Sequence, residues 1–304
     1  MTELRPLCLG IDAGGSRTRW ALAAADGAPL AEGEVAGLSA LQAHTDAGRD
    51  VAQATLAELA TAVLGHGRPV AVHAGLSGFG GAEAVGEQWR RWLSTLLDLP
   101  AGAVVLSNDI EIAYRASFRA GEGYLVYAGT GSIGAWIDGD GSFRRAGGRG
   151  VLLDDGGGGY WIAREALRHI WRAEDEQPGA WQASPMARAV FAQIGGSDWD
   201  RSRQFMHVSE RGQVGMLALA VAETCAQDPA AADILHRAGA ELARLALALV
   251  QRFGARPVAL AGRASQLHPM ILAAMRAALP PTISLTHQTI EAHHAAARLA
   301  AVRL

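Results

Sequence analysis

One pattern occurs twice in this chain and restricts its fold more than any other feature. Residues 6–12 (PLCLGID) read as a buried strand ending in Asp12, followed by a glycine turn and a second strand over about 18–25. Asp26-Gly27 then makes a hairpin turn into a third strand near 28–35. From residue 123 the succession returns: strand 123–128, the turn Gly129-Thr130-Gly131-Ser132, strand 133–137, and Asp140-Gly141 turning into 142–145. Gly15-Ser16 overlays Gly131-Ser132, and Asp26-Gly27 overlays Asp140-Gly141, at nearly constant offset. A unit repeated in this way points to a duplicated domain.

The rest of each copy is legible from periodicity and caps. Thr45 is placed to cap a helix over about 46–64, and strand 69–76, helix 82–97 and strand 103–107 complete the first copy. Beyond Gly159 the pattern is mostly helical, with Ser184-Pro185 and Asp228-Pro229 as helix starts. Strand 257–261 ends in Gly262, and a helix near 269–279, a strand 282–286 and a terminal helix from about 289 follow. The expected fold class is therefore α/β, in two packed domains with no low-complexity linker between them.

Composition removes several function classes. The chain has 304 residues, enough for two ordinary domains, and all 27 of its Lys and Arg residues are arginine. A Walker A loop needs its lysine on the phosphates, a protein kinase needs its strand lysine, and Schiff-base chemistry needs a lysine amine. A net charge of -3 without a basic stripe leaves nucleic acid no electrostatic footing. No apolar stretch approaches the ~20 residues of a membrane span, and the start carries no secretory leader pattern, so a soluble cytoplasmic protein is expected. Cys8 lies in an apolar run and Cys225 in a helical one, and both read as reduced core thiols.

Three turns are candidates for chemistry. In Asp12-Ala13-Gly14-Gly15-Ser16 the glycine pair lets backbone N–H groups approach an anion, and a carboxylate at a strand end can hold a hydrated magnesium ion. A tight hairpin with a capping Asp is the alternative. Gly129-Thr130-Gly131-Ser132 repeats that chemistry and adds a hydroxyl, and two equivalent loops together could hold a triphosphate. Gly262-Arg263-Ala264 is a strand-to-glycine turn where a flat adenine ring could lie. The segment from Ser77 to Gly81 reads either as a sugar-site lining or as a turn before a helix, His73 as a satisfied strand histidine, and His293-His294 as a solvated helix face.

These residues resemble the sugar-kinase, heat-shock ATPase and actin superfamily. The resemblance is closer to the branch of N-acetylglucosamine kinase, glucosamine kinase and the BadF/BadG/BcrA/BcrD-type ATPases. The branch's Asp-Gly-Gly-Gly-Thr loop is similar to Asp12–Ser16, its Gly-Thr-Gly-Ser stands intact at 129–132, and its Gly-Gly-Trp-Gly-x-Leu-Leu-Gly-Asp-Glu-Gly-Ser-Gly segment resembles residues 147–159. The resemblance implies two ribonuclease-H-like domains around an interdomain cleft. Residues 1–119 would form the first, with a terminal helix 289–304 packed back on it, and 120–288 the second, with a helical insertion.

It also implies ATP and Mg2+ as cofactors and an amino sugar as substrate, with Asp109 as general base. Gly14, Gly15, Ser16, Gly129, Thr130, Gly131 and Ser132 would hold phosphates, Gly262, Arg263 and Ala264 adenosine, and Asp12 magnesium through water. Ser77, Asn108, Asp109, Gly148 and Asp155 would face the sugar. The competing role for Asp109 is a cap on helix 110–117, and for Asp155 a solvated place in a glycine loop. Three positions depart from the branch: Ala40 replaces an Asn, Gly156 an acidic residue and Arg149 an aromatic one. A catalytically silent sugar-binding or regulatory protein, and an activator-type ATPase, remain as other readings. A homodimer is compatible with the resemblance.

Overall fold

The computed structural model describes residues 6–15, 17–80 and 82–302. Strand β1 (Leu7–Ala13) is buried along nearly its whole length because it has neighbours on both sides. β2 (Arg17–Ala24) pairs with it antiparallel and β4 (Pro69–Leu76) parallel. β3 (Pro29–Ala36) and β5 (Val104–Asn108) extend the sheet, giving the order β3-β2-β1-β4-β5. β3 is the solvated edge, and its Glu32 and Glu34 give it the charge that discourages edge-to-edge pairing. Parallel pairing requires crossovers. Here they are α1 (Asp46–Leu64), started by a Thr45 side chain that accepts from Gly48 N–H, and α2 (Glu83–Leu97). Leu9, Ile11, Trp20, Leu56, Leu59, Val72, Trp89 and Leu93 form the core between these helices and the sheet.

The second sheet has the same plan. β6 (Tyr124–Ala128) is antiparallel to β7 (Ser132–Ile137), which pairs antiparallel with β8 (Phe143–Gly147), and parallel to β9 (Val258–Ala261), with β10 (Leu285–His287) beyond. Its order, β10-β9-β6-β7-β8, repeats that of the first sheet strand for strand. The repeated sequence pattern is thus a repeated sheet. The crossover from β8 to β9 is the helical segment, α4 (Gly159–Glu176), α5 (Pro185–Ile194), α6 (Trp199–Val208), α7 (Arg211–Thr224) and α8 (Pro229–Phe253). Asp228 caps α8 and also accepts from the Ser184 hydroxyl and Met186 N–H, tying the start of α5 to that of α8. α9 (Pro269–Ala278) returns the chain to β10.

The chain divides into two compact units, Met1–Ser117 with Ile290–Leu304, and Phe118–Thr289. α3 (Asp109–Ser117) closes the first stretch, and α10 (Ala292–Ala301) brings the C-terminal end back to the first unit. α10 packs across β1, β2 and β4, and it comes so close at Gly10 that a Cβ there would lie 2.0 Å from the His293 carbonyl oxygen and 2.2 Å from Ala297 N. This packing corrects the reading of His293-His294 as a solvated helix face. His293 is only 5% exposed, because its turn of α10 is the one pressed onto the sheet, whereas His294 retains partial exposure. Among the described residues no helix is long and apolar enough to cross a membrane.

The backbone contact at Gly10 is with main chain, which cannot swing aside. Gly10→Ala should therefore destabilise the fold by roughly 1–3 kcal/mol, the usual cost of overpacking, and lower the melting temperature of the first unit by several degrees. A thermal melt equal to wild type would show that α10 can shift away from β1 without cost.

Candidate functional site

In the first unit the strands β1, β4 and β5 run parallel, so their carboxyl ends lie side by side. Asp12 is in register with Gly75, Ala13 with Leu76, and Leu76 with Asn108. That edge is where open α/β sheets bind ligands. It carries Asp12, Ser77, Asn108 and Asp109 together. The turn after β1 is closed by Gly14 N–H donating to the Arg17 carbonyl at 3.1 Å, and it is anchored by Leu38 N–H donating to Gly14 O. Gly15 faces open space, where a Cβ would meet nothing within 4 Å. Ser16 lies outside the described residues. Ser77 is fixed through its backbone: its N–H donates to Ala13 O, and its carbonyl accepts from Ala40 N–H and the Ser39 hydroxyl.

Asp109 is the first residue of α3, and it shares the capping role with Asn108 before it. Asn108 Oδ1 accepts from Ile110 N–H at 2.9 Å, while Asn108 Nδ2 donates to the Phe79 carbonyl at 3.0 Å. Asn108 is thus engaged in holding the α3 start against the loop after β4. Gly75 lets α3 approach, since a Cβ there would come within 2.6 Å of Ile112 Cδ1 and 3.2 Å of Asp109 Cα. Asp109 Oδ1 also accepts from Ile110 N–H. Burial, and then the negative charge of Asp12, push the Asp109 pKa up to about 6 against the opposing Ile110 N–H and Ser77 hydroxyl. Asp12 in turn meets Arg19 from β2, whose guanidinium reaches its carboxylate at 3.3 Å and Glu291 at 2.9 Å. Arg19 escaped the sequence reading. Its only cue is that Asp12 and Arg19 are cross-strand partners.

The second unit builds its loop from main chain. Gly129 N–H donates to Gly131 O, and the first turn of α4 donates into the same loop, Gly159 N–H to Gly129 O and Tyr160 N–H to Thr130 O. Ser132 donates its hydroxyl to Gly156 O at 2.7 Å, and Gly148 N–H donates to Ser132 O. With the carbonyls so occupied, the Thr130 and Gly131 N–H groups donate to no carbonyl among the described residues. Asp155, at the left-handed φ of 53°, accepts from Arg149 and Gly150 N–H, and its other oxygen lies against Gly131, where a Cβ would be 2.2 Å away. Burial raises the Asp155 pKa, and those two N–H donors resist the rise. Asp155 is therefore a buried clamp beside the glycine loop and not a solvated residue.

Gly262, at φ 97°, lies at the end of β9 against β6, and a Cβ there would be 2.4 Å from the Ala128 carbonyl. Arg263 is exposed beside it and Ala264 buried. The structure thus groups Gly129 to Ser132, Gly148, Asp155 and Gly262 to Ala264 in one unit, and Asp12, Gly14, Gly15, Ser77, Asn108 and Asp109 in the other. At the departing positions, Ala40 is buried at the start of a 3₁₀ turn, and Arg149 contributes its backbone N–H. Gly156 leaves room that α8 takes up: a Cβ there would be 2.8 Å from Glu241 Oε2. Glu241 stands 85 residues away in sequence, and no local signal marks it. His73 bonds Ser107 through Nε2 at 2.8 Å, in keeping with a strand histidine.

Two repeated sheets, with glycine loops after their first strands and a half-buried carboxylate at the start of the helix after β5, define a two-unit fold of the sugar-kinase type. Residues 9–301 match the BadF/BadG/BcrA/BcrD ATPase family, and the chain belongs to that family. It is similar to an N-acetylmuramic acid/N-acetylglucosamine kinase of Clostridium acetobutylicum, 34% identical over 76 residues, a quarter of each chain. It is also similar to an N-acetyl-D-glucosamine kinase of Dictyostelium discoideum, 26% identical over 184 residues, 57% of this chain and 56% of that one. The matches thus span little more than half, or less, of these relatives' lengths. Among solved structures, a candidate N-acetylglucosamine kinase from Chromobacterium violaceum is 28% identical with a TM-score of 0.68, over 98% of this chain and 99% of that one. A glucokinase from Streptomyces griseus, crystallised with glucose and AMPPNP, shares the fold at 18% identity and a TM-score of 0.62, over 97% and 98%.

The raised pKa of Asp109 has a consequence for stability. A carboxyl whose pKa is higher in the folded chain than in the unfolded one adds stability at low pH and loses it as pH rises through about 6. At neutral pH the ionised group then costs about 2 kcal/mol, after allowing for its partial exposure. Asp109→Asn should be more stable than wild type at pH 7.5, and the gain should vanish as pH falls toward 4. Denaturant melts at both pH values measure this, and an unchanged or lower midpoint for the variant at pH 7.5 would count against the buried charge.

Proposed function

We propose that the chain is an ATP-dependent kinase that phosphorylates a hydroxyl of an amino sugar, glucosamine or N-acetylglucosamine, giving the 6-phosphate. The observation that carries this reading is Asp109, a carboxyl at the carboxyl edge of a parallel sheet whose pKa stands at about 6. Such a group is ionised at neutral pH yet basic enough to take a proton from a hydroxyl as its oxygen attacks phosphorus. Asn108, bonded to both Ile110 and Phe79, holds the start of α3 and so aims the base.

The N–H groups of Gly15, Thr130 and Gly131 are the proposed phosphate donors, with Gly14, Ser16, Gly129 and Ser132 shaping their loops. Gly262, Arg263 and Ala264 would flank adenosine, and Ser77, Gly148 and Asp155 would border the sugar. Asp12 meets Arg19 and supplies a hard carboxylate oxygen at the strand end, a ligand type that suits a hydrated magnesium ion. When held there by Asp12, magnesium would supply positive charge against the charge that develops on the phosphate. Without a lysine, Arg19 is a positive charge on this edge of the first unit, next to Asp12.

A second reading, a sugar-binding protein without turnover, draws on Ala40 and Gly156, which remove an amide and a carboxylate from the branch's pattern. An activator ATPase fits less well, because Cys8 and Cys225 are both buried and an exposed cluster needs exposed thiolates.

ADP release with glucosamine, N-acetylglucosamine, N-acetylmuramic acid and glucose separates these readings. A kinase should turn over with an amino sugar, lose rate as pH drops below about 6, and fall by about 10²–10⁴ in kcat in Asp109→Asn with ATP affinity retained. Sugar binding without ADP release across the panel would establish the silent reading instead. Wild-type turnover in Asp109→Asn would remove Asp109 from the role of base.

A further inference from the structure

On the first unit, between its edge strand and α10, three metal-ligating side chains converge. Glu32 comes from the edge strand β3, and His293 and His294 from the first turn of α10. Both imidazoles direct Nε2 at the same oxygen, Glu32 Oε2, from 2.7 Å for His294 and 3.6 Å for His293. One ligand atom from each residue lies within 4.8 Å of the other two.

His293 is the unexpected member. It is 95% buried by its 5% exposure, yet Nδ1 has no hydrogen-bond partner among the described residues, and Nε2 is beyond hydrogen-bond distance of Glu32. Behind Nδ1, Glu291 Oε2 stands at 3.7 Å, also too far for a bond. A buried imidazole with a carboxylate on each side and no bond to either is poorly satisfied.

We propose that Glu32, His293 and His294 form a binding site for one borderline divalent cation, zinc in particular, with Glu291 as the outer carboxylate that orients His293 through Nδ1–H. Two imidazoles and one carboxylate are a zinc ligand set that leaves a fourth position to water. Ligand atoms around tetrahedral zinc lie about 3.3–3.4 Å apart. The 3.6 Å separation already matches this, and the His294 hydrogen bond to Glu32 opens by about half an ångström when the ion replaces its proton. Nδ1–H donation to Glu291 then reproduces the carboxylate–histidine–metal arrangement that fixes a ligand's ring and raises its basicity. The facing charges are Glu32 and Glu291 against the single Arg19 guanidinium, which is itself paired to Glu291 and Asp12. Their sum favours a cation. An ion here pins the C-terminal helix to the edge strand of the first sheet. The site shares no ligand with the magnesium carboxylate proposed at Asp12, and it stands whether or not the chain is a kinase.

The test uses the untagged full-length chain, stripped with a chelator and titrated calorimetrically with Zn2+ alone, with metal content counted after dialysis. One zinc ion per chain is expected, together with a rise in melting temperature. His294→Ala, at a half-buried position, and Glu32→Gln, at an exposed one, should each weaken binding at least ~tenfold, and Glu291→Gln by ~tenfold or more. If His294→Ala does not fold, His294→Gln replaces it. No uptake, or uptake whose affinity is unchanged by either the His294 or the Glu32 substitution, overturns the proposal.

Discussion

Main chain packed directly on main chain is the constraint on which this structure rests. At the second glycine loop a Cβ on Gly158 would lie within 2.8 Å of Gly131 backbone, and one on Gly262 within 2.4 Å of the Ala128 carbonyl. Those approaches bring the first turn of α4 close enough to donate into the Gly129 and Thr130 carbonyls. The Thr130 and Gly131 N–H groups are then left without a carbonyl partner among the described residues, and donors fixed in this way cost little reorganisation on meeting an anion. The first unit reaches a comparable result with a tight turn between β1 and β2, and with Gly75 admitting α3 to the sheet.

The chemistry follows from placing charge where the backbone has created shelter. Asp109 and Asp12 share the carboxyl edge of one sheet, and the charge of Asp12 makes Asp109 harder to ionise. That arrangement weakens the fold at neutral pH and leaves Asp109 with a pKa of about 6. Asp155 is the opposite case, a buried carboxylate whose two backbone donors make it part of the loop's scaffold.

Much of this was legible in the amino-acid order because it is local. Asp-Gly turns, the glycine loops, the Thr45 cap and the proline-started helices each depend on neighbouring residues, and the structure has them where the pattern put them. The repeated sheet followed from the same signals read twice. What escaped depended on residues far apart. The alternation of β2 does not announce that Arg19 bridges Asp12 and Glu291, and nothing near Gly156 signals that Glu241 occupies its missing side chain's space. Two adjacent histidines on an alanine-rich helix look solvated until the helix is seen pressed against Gly10. The Asp109 cap is shared with Asn108, because an Asn-Asp pair offers two acceptors to one N–H and both take it.

The return of α10 to the first unit also orders events in time. The second unit is continuous in sequence, from Phe118 to Thr289, and all of its strands and helices are present once residue 289 has been made. The first unit begins at the N-terminus but keeps an apolar stripe, Cys8, Gly10, Ala21 and Ala23, open until α10 is synthesised to cover it. The segment of the later unit is thus complete in the chain before that of the earlier one, and the stretch that carries Asp12 and Asp109 is the last to be covered. A chain cut short by even a dozen residues would keep every proposed active-site group and lack the lid on the sheet that holds them.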